Sequence, residues 1–152
     1  MDESILTRLQ AEMVRAMKQK DAETLSTVRM LKSSLMEAKT SKPKDALLSP
    51  EEEIEIVQRY VKKRRETIEM NLKVGRADLN AAEEREIAVA QRFLPAAIAE
   101  DELLAIVKAA VASTGAAGPK DMGKVIGAVM ALVKGRAEGS TVSRLVKQAL
   151  AG

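Results

Sequence analysis

The sequence predicts an all-helical protein made of two small domains. Good helix formers dominate the composition, namely Ala, Leu, Met, Glu, Lys and Arg. Apolar residues recur at helical spacing in most segments, and the alternating pattern of a half-buried strand is absent. A chain of 152 residues can bury a real core, in one domain or in two small ones.

Two helices with one apolar stripe each are predicted in the first part of the chain. Helix 1 runs from about Ser4, a possible N-cap, to Lys20, and helix 2 from about Asp21 to Lys39. Because the connection is so short, the pair forms either a tight hairpin or a bent continuous rod. A loop over residues 40–48 follows. The stripes consist of Ile5, Leu9, Met13 and Met17 in helix 1 and of Leu25, Val28, Leu31 and Leu35 in helix 2.

Helix 3 has the clearest start signal in the sequence. Ser49 is expected at the N-cap, Pro50 at the first helical position and Glu52 at the third, which is the pattern of a capping box. Glu51 and Glu53 add negative charge at the positive end of the same helix. The expected core side consists of Ile54, Val57, Val61, Ile68 and Leu72.

Helix 3 is expected to end near Val74, with Gly75 in the left-handed position that often follows a helix. Helix 4 then runs from about Ala77 to Leu94, where Pro95 stops it. Its predicted apolar members are Leu79, Ile87, Ala90 and Leu94.

The segment Pro95–Ala99 is the best domain boundary, because mostly long helices precede it and shorter ones follow. We therefore expect an N-terminal domain of about four helices over residues 1–95 and a three-helix C-terminal domain over residues 96–152. In the second domain, helix 5 opens with three acids, helix 6 runs from about Pro119 to Lys134, and helix 7 begins near Ser140 as a plausible N-cap.

The composition excludes several classes of active site. The chain has no His and no Cys, so it has no Ser-His-Asp triad, no thiolate nucleophile and no ordinary transition-metal site. Carboxylate sites for hard cations remain open, but no acidic pattern resembles one. We expect no catalytic residues, no metal site and no cofactor. Tyr60 and Phe93 are the only aromatics, which is too few for a platform on which bases stack.

Helix 6 carries the most informative surface pattern. Gly123 and Gly127 lie in its interior, where each glycine costs about 1 kcal/mol relative to Ala. At about 100° per residue, both glycines fall opposite the apolar face and between Lys120, Lys124 and Lys134. A phosphate backbone could lie against such a smooth, positive strip. The alternatives are a plain solvated face or a groove for another protein helix.

The rest of the C-terminal part is also basic. Within residues 103–152 only Asp121 and Glu138 are acidic, against seven basic residues. Arg136 lies in the helix 6–7 connector, close to the helix start where free amide groups can bind an anion. Alternatively, Lys134 and Arg136 only offset the negative end of helix 6. The candidate RNA-binding residues are Lys120, Gly123, Lys124, Gly127, Lys134, Arg136, Arg144 and Lys147.

Several segments resemble the GatB/YqeY family, in which GatB is one of the subunits of the aspartyl/glutamyl-tRNA amidotransferase. Residues Asp121–Met130, Val133–Ala137 and Val142–Val146 resemble the tail of GatB. Three further segments resemble the stand-alone YqeY-like members, namely Arg29–Leu35, Gly75–Leu79 and Phe93–Pro95. The similarity spans about residues 4–150, and it departs at Ala99, where members often place a capping Ser or Thr.

The resemblance implies an all-α fold and a tRNA-interacting accessory protein related to glutamine-dependent amidotransferases. It also implies tRNA as partner, within an amidotransferase or an aminoacyl-tRNA synthetase complex. A carbon–nitrogen ligase label with glutamine as amido-N-donor accompanies the family, but this chain is too short for the ATP-binding cradle and shows no residues for independent catalysis.

The alternative function is a helical protein-interaction scaffold without RNA binding. Apolar residues spread beside the main stripes of the N-terminal helices favour it, namely Met30, Met36, Ile56 and Met70. No apolar run approaches the ~18 residues of a membrane span, and the acidic start Met1-Asp2-Glu3-Ser4 has no signal-peptide pattern. We therefore expect a cytoplasmic protein without membrane contact.

Overall fold

The computed structural model describes residues 3–151, and this part of the chain is all-helical, as predicted. Residues 1, 2 and 152 of the two predicted domains lie outside it. The described residues contain α1 (Ile5–Lys18), α2 (Ala22–Thr40), α3 (Pro50–Lys73), α4 (Asn80–Gln91), α5 (Glu100–Thr114), α6 (Met122–Val133) and α7 (Gly139–Ala151). Single 3₁₀ turns occupy Ala77–Leu79 and Pro119–Asp121.

The chain divides after Leu94 into an N-terminal and a C-terminal compact unit. The assignment of residues 1–95 and 96–152 as separate domains stays a prediction. The core of the N-terminal unit consists of Ile5, Leu9, Val28, Leu31, Leu35, Val57, Tyr60, Val61, Ile87, Ala90 and Phe93. The core of the C-terminal unit consists of Leu103, Val107, Ala110, Val125, Val129, Val133, Val142, Leu145 and Val146.

A tight turn, and not a continuous rod, joins α1 to α2. Lys20 adopts a left-handed conformation with φ 55°, and the backbone N–H of Asp21 donates to the carbonyl of Ala16 at 2.9 Å. This pattern is a Schellman motif with lysine in the usual glycine position, so α1 ends at Lys18 and not at Lys20. The Asp21 carboxylate then caps α2 by accepting from the N–H of Thr24 at 3.2 Å.

The capping box at the start of α3 is confirmed. The Ser49 hydroxyl accepts from the N–H of Glu52, and the Glu52 carboxylate accepts from the N–H of Ser49, both at 3.1 Å. The Lys42 ammonium also donates to Glu52 at 2.7 Å. The Lys42 hydrogen bond, followed by the bonds to Ser49, lowers the pKa of the Glu52 carboxyl. At the other end, Gly75 adopts the expected left-handed conformation, with φ 72°.

The fourth predicted helix is shorter than expected. Its first turn is the 3₁₀ segment Ala77–Leu79, because the buried side chain of Asn80 ties the chain to α3. The Asn80 carboxamide accepts from Asn71 at 2.9 Å and donates to the carbonyl of Ile68 at 3.4 Å. Leu79, predicted in the core, is therefore exposed. The helix also ends at Gln91, short of Leu94, because the chain tightens into i→i−3 bonds, with the N–H groups of Phe93 and Leu94 donating to the carbonyls of Ala90 and Gln91 at 3.1 Å.

Two further core predictions are wrong. Met17 is 54% exposed while Ala16 is fully buried, because an every-fourth-residue stripe drifts by about 40° per step around a helix. Leu72 is 59% exposed, since it lies in the final turn of α3 beside the Gly75 turn.

Two helices of the C-terminal unit begin at residues other than those predicted. The segment from Pro119 forms the 3₁₀ turn, and α6 begins only at Met122. Helix α7 begins at Gly139, which places Ser140 inside the helix and not at the N-cap. The carbonyl of Glu138 accepts the first helical bond, from Val142 at 3.1 Å, so Glu138 holds the N-cap position.

Candidate nucleic-acid interface

The two glycines of α6 lie on the exposed side of the helix, as its apolar spacing predicts. Val125, Val129 and Val133 are fully or almost fully buried, whereas Gly123 and Gly127 are exposed. A Cβ added to either glycine would meet no atom within 4 Å. Together with the exposed Ala131, these residues form what we call the glycine strip (Gly123, Gly127 and Ala131). No packing within the described chain explains the absence of side chains at the two glycines.

Three lysines lie on or near the ends of α6, and all three are exposed. Lys124 lies in the first turn of α6 itself. Lys120 belongs to the preceding 3₁₀ turn, so its predicted angular position on an extended α6 does not apply. Lys134 follows the last helical residue. Among the described residues, none of the three forms an ion pair, so their charges are available to an external anion.

The connector after α6 is a tight turn with a strained lysine. Lys134 has φ 40° and ψ 57°, the left-handed conformation, and Gly135 has φ 85°. The N–H of Arg136 closes the turn by donating to the carbonyl of Val133 at 2.9 Å. The left-handed conformation costs a residue with a side chain about 1–2 kcal/mol, and glycine would adopt it without this cost. A lysine is therefore held here against its backbone preference.

Arg136 has a structural role that the sequence did not reveal. Its guanidinium Nε donates to the carbonyl of Ala96 at 3.0 Å, and its own carbonyl accepts from the N–H of Ile98 at 2.9 Å. These bonds tie the α6–α7 connector to the segment before α5. Of the candidate residues, Arg136 is thus the one whose loss would disturb the unit itself.

Arg144 and Lys147 lie on the exposed side of α7, a different helix from the glycine strip. The Arg144 guanidinium donates to the Glu100 carboxylate at 2.6 Å. Both side chains of this pair are about half exposed, at 49% and 59%, so water and salt screen the interaction. Lys147 forms no ion pair among the described residues. Among the described residues, neither Arg144 nor Lys147 forms a hydrogen bond or an ion pair with the glycine strip.

The groups with displaced pKa values lie outside this surface. Hydrogen bonds from Arg15 lower the pKa of the Glu12 carboxyl, and the caps and ion pairs of Asp21, Glu52 and Asp78 act in the same direction. Burial, followed by its bond to Glu86, raises the pKa of the Tyr60 phenol. Each shift is explained by a contact that supports the fold. Among residues 3–151, no three acidic side chains are grouped closely enough to hold a metal ion.

A family model described as "Yqey-like protein" matches residues 6–150. The chain belongs to the YqeY family. This YqeY-family chain is also similar to "Altered inheritance of mitochondria protein 41, mitochondrial" of Pyrenophora tritici-repentis. The two are 32% identical, over 95% of this chain and 80% of the relative. Because the relative is named as mitochondrial, the cytoplasmic location of the YqeY-family chain stays a prediction. None of its described helices combines the length and the apolar character of a membrane span.

The segments that resemble the YqeY family have different structural roles. Gly75 forms the turn after α3, and Phe93 is a core residue whose ring centre lies 5.3 Å from the guanidinium carbon of Arg8. Both therefore support the N-terminal fold of the YqeY chain. In contrast, Gly123 and Gly127 of the α6 segment contribute nothing to packing. These two glycines are thus the part of the resemblance that packing leaves unexplained.

Proposed function

We propose that this YqeY-family protein is an accessory RNA-binding protein that contacts tRNA phosphates through the α6 surface. The observation that carries the proposal is the exposed glycine strip of α6, with Lys124 on the same helix and Lys120 and Lys134 just before and just after it. A helix face without side chains lets a polyanion approach the backbone closely, and lysines at both ends neutralise its charge.

Phosphate contact fits this chain better than base reading. Tyr60 and Phe93 are 7% and 5% exposed and belong to the core of the N-terminal unit, so neither offers a ring on which a base could stack. Binding through lysines alone depends strongly on salt and weakly on sequence. The proposed role is therefore to hold tRNA, with its identity read by another protein.

We further propose that the partner is a tRNA-dependent amidotransferase or an aminoacyl-tRNA synthetase complex. The family membership supports this placement, since YqeY resembles the tail of the amidotransferase component GatB. The chemistry that the family label describes, amide transfer from glutamine, would then belong to the partner. We expect the purified protein alone to form no product from ATP, glutamine and misacylated tRNA.

The decisive experiment compares two triple charge reversals with unfractionated tRNA as the probe. The test variant carries Lys120→Glu, Lys124→Glu and Lys134→Glu. Arg136 is left intact because the bond from its guanidinium to the carbonyl of Ala96 supports the unit. The matched control carries Lys44→Glu, Lys62→Glu and Lys108→Glu, at exposed positions outside the α6 surface, and changes the net charge equally.

Affinity is measured by fluorescence anisotropy between about 50 and 200 mM salt, the range in which phosphate contacts weaken strongly. We expect the test variant to lower the slope of log affinity against log salt by about 2.1–2.7, because each of the three lost phosphate contacts removes roughly 0.7–0.9. The control should keep most of the original slope. Equal affinity in all three proteins would show that α6 does not bind tRNA.

A further inference from the structure

A groove of about 570 Å³ lies between α2 and α3 in the N-terminal unit. From α2 it is lined by Met30, Ser34 and Ala38, which are spaced four residues apart and so share one helix face. From α3 it is lined by Ile56 and by Tyr60 at the same spacing. The groove is therefore bordered by two complementary helix faces and not by loops.

The two helices that form the groove run antiparallel. The ion pair between Lys42, just after α2, and Glu52, in the first turn of α3, brings these two ends together at 2.7 Å. The α2 side of the groove extends from Met30 to Ser41. At 1.5 Å per residue this distance is about 16 Å, which accommodates about three turns of a further helix.

The floor of the groove contains apolar side chains that are partly exposed. Met30 is 44% exposed, although its neighbour Leu31 on α2 is completely buried. Ile56 and Ala38 are only half-buried, whereas Tyr60 is only 7% exposed and its hydroxyl donates to Glu86 at 2.9 Å. Methionine adapts its shape to a partner, and such side chains are frequent on surfaces that bind helices.

The rim of the groove is positively charged on the α3 side. Arg59, Lys63 and Arg64 line it, against Glu37 from α2. Lys63 is exposed and forms no ion pair among the described residues. Arg59 pairs with Glu55 across one turn, but both side chains are at least 60% exposed, and such a surface pair is worth little. The rim therefore offers cations to an acidic partner.

Arg64 completes the charged wall from a deeper position. Its guanidinium carbon lies 4.7 Å from the centre of the Tyr60 ring, and its ion pair with Glu83 is long, at 3.8 Å. The stacked guanidinium joins the rim to the apolar floor. A ligand in the groove would therefore contact both apolar side chains and positively charged groups on α3.

We propose that this groove binds an acidic amphipathic helix from a partner protein. Apolar residues of that helix pack on Met30, Ala38 and Ile56, and Asp or Glu residues on its flank pair with Arg59 and Lys63. The helical spacing of the two lining faces suits the i, i+4, i+7 anchors by which a helix occupies a groove. The charge of the rim selects an acidic partner. The proposal is independent of tRNA binding at α6.

A nucleic acid fits this groove less well than a helix. The floor would be covered by sugar and phosphate groups, so its apolar surface would not be buried against apolar atoms. An extended peptide strand fits less well too, because both walls are helices whose backbone groups are paired internally, with no sheet edge to extend.

The experiment uses the full-length protein and a fluorescein-labelled helical peptide of about 14 residues, long enough to cover the groove. The probe peptide has Leu at i, i+4 and i+7 and Glu along one flank. The control peptide has Lys in place of each Glu. Fluorescence polarisation gives the affinity, and backbone amide shifts in NMR spectra give the location.

Two pairs of matched variants test the rim and the floor separately. For the rim, Lys63→Glu is compared with Lys62→Glu, an exposed lysine next to it on α3 that does not line the groove. For the floor, Met30→Gln is compared with Met36→Gln, since both methionines lie on α2 and are similarly exposed, at 44% and 40%, but only Met30 lines the groove.

We expect the acidic peptide to bind, with amide shifts at Ser34, Ala38 and Ile56, and the basic peptide to bind at least tenfold more weakly. Lys63→Glu and Met30→Gln should each weaken binding by about tenfold, which corresponds to 1.4 kcal/mol. Lys62→Glu and Met36→Gln should leave it within about twofold.

Three results would overturn the proposal. The first is equal binding of both peptides, or none. The second is a set of amide shifts outside the groove. The third is a different occupant: light scattering that shows a dimer lost in Met30→Gln would identify a second copy of the chain, and displacement of the peptide by tRNA would identify RNA.

Discussion

The Glu53 carboxylate on α3 accepts a hydrogen bond from the backbone N–H of Leu6 at 2.9 Å. Its second oxygen accepts from the N–H of Ile5 at 3.2 Å. Glu53 is only 3% exposed. A buried carboxylate is tolerated here because two N–H groups and the positive end of the α1 dipole stabilise its charge. Glu53 therefore caps α1, a helix that begins far earlier in the chain, and not the helix to which it belongs.

Replacing this carboxylate should destabilise the N-terminal unit. We expect Glu53→Gln to lower the free energy of unfolding by about 2 kcal/mol, because its NH₂ group cannot accept the second N–H and the lost bond was charge-assisted. Chemical denaturation gives the value. Glu51→Gln, at an exposed position in the same first turn of α3, should change stability by less than about 0.5 kcal/mol. Similar losses in both variants would mean that Glu53 acts only through the α3 dipole.

The glycine strip allows stability and function to be separated. Gly127→Leu should raise the free energy of unfolding by about 0.5–1 kcal/mol, because the helix gains propensity and the new side chain meets open space. The same variant should bind tRNA more weakly, since the added side chain keeps phosphates away from the helix. Ala109→Leu, on the exposed side of α5, is the control and should leave tRNA affinity unchanged. Gly127→Leu with undiminished affinity would contradict the proposed interface.

A further prediction concerns the stability effect of the strained Lys134 in the α6–α7 connector. Lys134→Gly should stabilise the C-terminal unit by about 1 kcal/mol, because glycine adopts the left-handed conformation without a Cβ clash. Lys134→Ala retains the Cβ and should bring no such gain. Thermal unfolding distinguishes the two variants. Equal stability of both would show that the turn relaxes when the lysine is removed.

The start of α5 lacks the side-chain cap that the long helices of the N-terminal unit have. Ala99 occupies the N-cap position, and its methyl side chain cannot accept a hydrogen bond from an N–H group of the first turn. Ala99→Ser should stabilise the protein by about 1 kcal/mol, since the hydroxyl can accept from an unpaired N–H of the first turn. Ala97→Ser, two residues earlier and also exposed, should have little effect in the same urea titration. A gain at both positions would point to a general effect of serine.

The ion pairs around Glu12 should make stability depend on acid pH. The Arg15 guanidinium donates to the Glu12 carboxylate, with Nε at 2.9 Å from both oxygens, and lowers the pKa of that carboxyl; Arg92 acts in the same direction. A carboxyl with a lowered folded-state pKa adds stability above its ordinary pKa of 4.5, and this stability is lost as the pH falls through the folded-state pKa.

Arg15→Gln should therefore raise the Glu12 pKa toward its ordinary value, and carbonyl NMR titration measures this directly. The variant should also lose less stability than the original protein as the pH falls below the ordinary glutamate pKa of 4.5, where the Glu12 linkage acts. Glu12→Gln serves as the control, because it removes the titrating group. An unchanged Glu12 pKa in Arg15→Gln would show that the pair does not persist in solution.

Local signals account for most of what the sequence predicted correctly. The Ser49 capping box, the left-handed Gly75 and the exposed face of α6 each depend on residues within a few positions of one another. Predictions from these local signals were wrong where contacts with another helix determined the local structure. Leu79 has the apolar character of a core residue, but the Asn80 side chain holds the chain in a 3₁₀ turn that leaves it exposed.

The candidate site divides in the same way. The spacing of Gly123, Gly127 and Lys124 along a single helix was enough to predict their exposure. The roles of Arg136 and Arg144 were not predictable, because their partners Ala96 and Glu100 lie 40 and 44 residues away in the chain. An arginine on a basic segment looks the same in a sequence whether it binds a phosphate or a distant carbonyl.

By itself, therefore, the sequence determined the helical class, the YqeY resemblance and the smooth basic face of α6, since helix formation and its periodicity are local properties. The tertiary structure alone decided that Glu53 caps α1, that Arg136 ties the connector to Ala96, and that α2 and α3 leave a cationic groove between them. Each of these depends on contacts between side chains from separate elements, whose positions are set by packing of the whole unit.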